Sequence, residues 1–186
     1  MSSATNAGLV AKEAGPNLVK DPGFEDTASL GASPWTASGF IFEGFDYMVD
    51  LSAGDAHSGT HSFAGGGIGA PGFISQTLAT RVGANYNIHL WLANLSGFSS
   101  DTEIQVMWGS NLVYSATDIA GFSYKEIVID PIATSTSTTL AIGLRDDSFF
   151  LNIDDISVRQ IPEPASLALL LGGLAATAMS RRRRPS

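Results

Sequence analysis

The chain has 186 residues, 44% of them hydrophobic, with no cysteine and a formal net charge of −8. That length buries one substantial core but not two, and the lack of cysteine excludes disulfides, thiolate catalysis and Cys-ligated zinc. Residues 1–160 carry seventeen acidic against six basic side chains, which argues against nucleic acid as a partner, because phosphate binding requires clustered Lys and Arg.

In chain order, residues 1–16 read as a disordered leader. They hold no apolar run of seven or more residues, so no secretory signal is visible there. For an exported protein the true start is expected upstream of Met1. Asn17-Leu18-Val19 is a short strand, followed by a Pro22-Gly23 turn, the pair Phe24-Glu25, and Trp35 after Pro34. Phe40 to Leu51 reads as a strand pair with Tyr47, Val49 and Leu51 on one face. Asp55 to Ser62 is a polar turn, and Gly65 to Gly72 a glycine-rich loop.

The second half alternates more regularly. Strands are expected over Phe73–Val82, over Tyr86–Leu92 with Tyr86, Ile88, Leu90 and Leu92 on one face, and over Glu103–Trp108. Gly109-Ser110-Asn111 turns that last strand into Leu112-Val113-Tyr114. Phe122–Ile129, Leu140–Leu144 and Phe149–Arg159 complete the set. About nine strands at short spacing, with no helical pattern before the tail, predict an all-β domain over residues 17–160, an antiparallel β-sandwich.

The tail, residues 161–186, differs in kind. Pro162-Glu163-Pro164 precedes a sixteen-residue uncharged stretch from Ala165 to Ser180, and Arg181-Arg182-Arg183-Arg184 closes it. A helix over 165–180 would be roughly 24 Å long, short of the ~30 Å hydrocarbon core, with snorkelling arginines and a thinned bilayer making up the difference. An amphipathic helix of a soluble domain would show a polar stripe, whereas here Leu167, Leu169, Leu170, Leu171, Leu174 and Met179 are interleaved only with Ala, Gly, Ser and one Thr. The four arginines resist transfer across a membrane, at about 2.5–3.5 kcal/mol each, and hold the C-terminus in the cytoplasm with residues 1–160 outside.

The triplet, apolar helix and arginine cluster together resemble the PEP-CTERM sorting signal of Gram-negative bacteria. The resemblance implies an exosortase as partner, cleavage near Pro162-Glu163-Pro164, transient residence in the inner membrane through residues 165–180, and delivery to the cell surface or an exopolysaccharide matrix. The body also shows a family order. Asn17-Leu18-Val19, Gly23-Phe24-Glu25, Trp35, His57 to Ser62, Ile74 to Leu78 with Gly83 and Tyr86, and Ile153 to Val158 resemble the galactose-binding-like jelly roll of the carbohydrate-binding module 4/9 type. The fold hosts sugar binders, adhesins and spacers alike.

That resemblance implies a structural calcium ion where the first and last strands meet, with Glu25 and Asp154 as acidic ligands. Strand phase favours Asp154 over Asp155, since residues 154, 156 and 158 share a face. Oxygen ligands suit so hard a cation. The bland alternative makes both acids polar groups at the rim, and Asp146 and Asp147 read as turn residues.

Sugar binding requires exposed aromatic platforms flanked by polar groups. Trp91, opposite the Tyr86/Leu92 face, and Tyr47 are the candidate ligand-binding residues, with Trp91 weighed evenly against a second buried layer and Tyr114 and Phe98 as further possible platforms. Trp108 is expected in the core and Trp35 in a structural role. Catalysis finds little support. His57 and His61 flank a turn and read as hydrogen-bonded loop residues, Ser58 lacks a nucleophile-elbow context, and Gly65-Gly66-Gly67 lacks the Lys and helix of a phosphate loop. The expected protein is a non-enzymatic, exosortase-sorted surface or matrix protein whose jelly roll binds polysaccharide. The alternatives are a structural spacer without sugar binding and an accessory domain separated from a hydrolase.

Overall fold

A computed structural model of the chain describes residues 15–26, 34–40, 47–50, 54–97, 100–147 and 149–162. The period-2 apolar pattern becomes ten strands among them: β1 (Thr36–Ser38), β2 (Tyr47–Asp50), β3 (Ser62–Gly65), β4 (Gly72–Ala79), β5 (Tyr86–Asn94), β6 (Thr102–Trp108), β7 (Asn111–Thr117), β8 (Phe122–Ile129), β9 (Ser137–Asp146) and β10 (Leu151–Gln160). They form two five-stranded sheets, ordered β1-β4-β9-β6-β7 and β2-β3-β10-β5-β8. Every neighbouring pair is antiparallel.

The inner faces carry the residues that alternation selects. Ile74 and Leu78, Ile88 and Leu90, Ile104 and Val106, and Leu140, Ile142 and Leu144 are buried between the sheets. Each such side chain contributes about 1.5–3 kcal/mol on leaving water, and a one-residue slip in any ladder would turn its set outward. Trp108 is buried, and Trp35 packs on Phe24 with ring centroids 5.7 Å apart. Both take the core and structural positions expected of them.

Three elements differ from the sequence reading. Residues 17–19 form no strand, because the Asn17 side chain takes the ladder's place. Its Oδ1 accepts the Val158 N–H at 2.9 Å, and of residues 17–19 Leu18 alone donates a backbone bond to β10, to Val158 O. A short β1 after Trp35 was not foreseen. The third difference is on β10, where a bulge lies between Asp154 and Ser157 and Asp155 takes a left-handed φ of 48°. The bulge flips the strand phase. Ile153, Ile156 and Val158 face the core, whereas Asp154 pairs with Trp91 on the outer face. Asp154 therefore does not share a face with residues 156 and 158.

The leader through residue 14, most of the predicted 40–51 strand pair, the helix expected at 165–180, and Glu163, Pro164 and Arg181–Arg184 lie outside the described residues. Among the described residues, no helix is long and apolar enough to cross a membrane.

Candidate functional site

The outer face of the β2-β3-β10-β5-β8 sheet is covered by the loop over residues 54–61. Trp91 projects there, in register with Asp154 on β10 and Glu126 on β8. The His57 ring stacks on Trp91 with centroids 3.8 Å apart and planes 14° apart, and Tyr124 meets His57 edge-on. The Tyr124 hydroxyl donates to Asp55 O at 2.6 Å, pinning the loop's start.

Three carboxylates hold the rest of the loop. Asp154 Oδ2 accepts the His57 and Ser58 N–H groups at 2.9 and 3.1 Å. Asp155 takes the His57 ring at 2.6 Å and the Ser58 hydroxyl at 2.8 Å. Glu25 accepts the Thr60 and His61 N–H groups, at 2.7 and 2.8 Å, together with the Thr60 hydroxyl and the His61 ring. Gly59, with φ of 66°, makes the turn between them, and a Cβ there would run into the Glu25 carboxylate.

Two of these acids respond oppositely to this setting. Asp154 has no exposed surface, and burial pushes its pKa up to about 6 against the pull of the three N–H groups it accepts. At Glu25 desolvation also pushes upward, but the His61 side chain, the Thr60 N–H and hydroxyl and the His61 N–H outweigh it and hold the carboxyl at about 2.

Glu25 and Asp154 thus come together as the fold resemblance implies, around Gly23 with Asp155. Both Glu25 oxygens and both Asp154 oxygens are nevertheless occupied by N–H and side-chain donors. Among the described residues no group of three or more His, Asp or Glu is set to hold a metal ion. As placed, these side chains do not fit a calcium ion, and the N–H groups of residues 57–61 do the joining. His57 and His61 are the hydrogen-bonded loop residues that the sequence suggested.

Tyr47 does not join Trp91. It shares the inward phase of Val49 and packs on Phe40 and Phe63, with centroids 4.7 and 6.1 Å away. The two aromatics lie on opposite faces of one sheet and cannot form one platform.

The outer face of the other sheet carries a different arrangement. Phe73 on β4 registers with Gly143 on β9, which registers with Gln105 on β6. The Phe73 ring lies across the glycine, where a Cβ would stand 2.6 Å from the ring edge. Around it the cross-strand register sets Ser75, Arg145, Glu103 and Met107. Gln105 Nε2 donates to Glu103 at 2.6 Å. Arg145 makes a two-pronged bond to Asp147, both contacts 2.7 Å, and reaches Asp101. This pairing holds the Asp147 carboxyl at about 2 and fixes the guanidinium plane. A half-buried aromatic plate ringed by an amide, a carboxylate, a guanidinium and hydroxyls suits a flat ligand with one apolar face and a hydroxylated edge. The sequence signal for it was available: a glycine inside an alternating strand marks a close approach by another group.

The model of the PEP-CTERM protein-sorting motif matches residues 160–184, so the chain carries that motif at its C-terminal end. No curated protein matches the chain in sequence. Among solved structures it is similar to TmCBM61 in complex with β-1,4-galactotriose, at 20% identity and a TM-score of 0.59, over 78% of this chain and 99% of that one. It is also similar to the CBM22-1 xylan-binding domain of Paenibacillus barcinonensis Xyn10C, at 17% identity and 0.55, over 83% and 100%. The K2 cleaved adhesin domain of Lys-gingipain matches at 18% identity and 0.55, over 74% and 96%. The sandwich has the jelly-roll fold of carbohydrate-binding modules.

Proposed function

We propose that this is an exported, non-enzymatic surface protein, processed by an exosortase at its C-terminal motif, whose sandwich binds polysaccharide on the outer face of the β1-β4-β9-β6-β7 sheet. One observation carries the choice of face: the half-buried Phe73 ring packs against Gly143 beside Gln105 and Arg145. A pyranose ring presents axial C–H groups on one face and hydroxyls around its edge, which matches an aromatic plate bordered by planar polar groups. On the opposite sheet, one side of Trp91 is already taken by His57. The jelly-roll likeness supports a binding module, and the sorting motif supports export through transient residence in the inner membrane, with an extracellular glycan as the available ligand.

Affinity electrophoresis through gels containing soluble polysaccharides tests this. Retardation of the wild type should be lost in Phe73→Ala and kept in Trp91→Ala. The reverse pattern would move the ligand to the Trp91 face. No retardation on any polysaccharide would favour a spacer.

A further inference from the structure

The end of the sandwich from which the chain continues into its sorting motif has its own surface. Ile161 donates its N–H to Asn85 O at 2.9 Å, Asn85 bridges to Ile132, and Gly83 donates to Ala133 O at 2.8 Å. These bonds bring three aliphatic side chains to one pole, Val82 (58% exposed), Ile132 (56%) and Ile161 (37%). Arg81 belongs to the same turn and Arg159 donates to Gly15 O at 3.0 Å. Among the described residues the acid at this end, Asp130, accepts from Asn87 at 2.6 Å. In a domain that is acidic as a whole, this pole combines two arginines with exposed aliphatic groups.

What covers it follows from the chain itself. The apolar stretch begins at Ala165, four residues after Ile161. Four extended residues span at most about 14 Å, so a membrane-inserted tail draws this pole, rather than any other part of the domain, against the bilayer.

We infer that the Val82–Ile132–Ile161 pole rests on the lipid surface before processing, its aliphatic side chains in the headgroup region. The inference depends on the sorting tail entering the membrane as proposed above. With the pole seated, Pro162-Glu163-Pro164 is confined to the narrow layer between domain and lipid, where a membrane-embedded protease would meet it.

Because the chain has no cysteine, single reporters are simple to place. Full-length Val82→Cys, Ile132→Cys and Ile68→Cys, each carrying an environment-sensitive fluorophore, would be reconstituted into vesicles of phosphatidylethanolamine and phosphatidylglycerol. Ile68, 57% exposed, lies beside the Gly67–Arg145 bridge at the far pole and serves as the control. Flotation reports the tail and fluorescence reports the pole. The expected result is flotation of all three, with a blue shift and quenching by headgroup spin labels at positions 82 and 132 but not at 68. Flotation with all three labels equally aqueous would overturn the pole contact while leaving the tail in the membrane. Failure to float would overturn both.

Discussion

Replacing Asp154 with Asn isolates the acid beneath the 54–61 loop. Burial sets its pKa at about 6 against an ordinary 3.8. A folded-state value above the unfolded one means that the folded protein holds the proton more tightly. Stability is then highest below 3.8, falls as pH rises from 3.8 to 6, and is level above that. At 1.36 kcal/mol per pKa step the fall is about 3 kcal/mol, or about 6–12 °C of melting temperature for a domain of this size. Asparagine has no proton to lose across that window. Its carbonyl still accepts from His57 and Ser58, but its NH2 then faces the Asp155 N–H, a mismatch costing about 1–3 kcal/mol. The variant should therefore be the less stable protein near pH 4, close to wild type near pH 7, and flatter in between. Glu25, held at about 2, contributes stability that is present above 4.5 and lost as pH falls toward 2, equally in both proteins, so the comparison removes it. Urea denaturation of both across this range is the assay. Parallel pH profiles would refute the assignment of the cost to Asp154.

Two further outcomes follow from the same geometry. Calcium or EDTA should leave the melting temperature unchanged where N–H donors hold Glu25 and Asp154; a rise of the kind that a ligand at a hundred times its Kd produces, about 2.7 kcal/mol, would return both acids to a cation. Gly143→Ala should abolish gel retardation by lifting the Phe73 ring from the sheet, while the denaturation midpoint moves by no more than about 1–3 kcal/mol, the usual cost of local overpacking; retention of binding would show that the ring is not the platform.

Much of the fold was legible because local pattern and burial agree. Phe122–Ile129 appears with the bounds expected from sequence, and the Tyr86 strand runs only two residues further than predicted. The sites were less legible, since each depends on register between distant segments. The phase of Asp154 could not be read through a bulge whose φ of 48° no pattern announces. Trp91 did face outward, but the loop whose His57 covers it lies more than thirty residues earlier. Phe73 and Gly143 meet only through the β4–β9 ladder, across seventy residues of sequence. Tyr47 alternated correctly with Val49, and the reading failed only in taking that phase for a ligand surface rather than for the core edge.

The position of β10 bears on how the domain answers mechanical force. The C-terminal strand lies in the middle of its sheet, registered with β3 at three positions and with β5 at seven. A pull applied through residue 160, with the far pole or a sheet face held by a ligand, runs along the strand axis. It strains both ladders in shear, so their hydrogen bonds must break together rather than one after another as in an edge strand peeled sideways. A cell-surface protein tethered at this point and holding a polymer in flow would transmit tension through a strand paired on both sides.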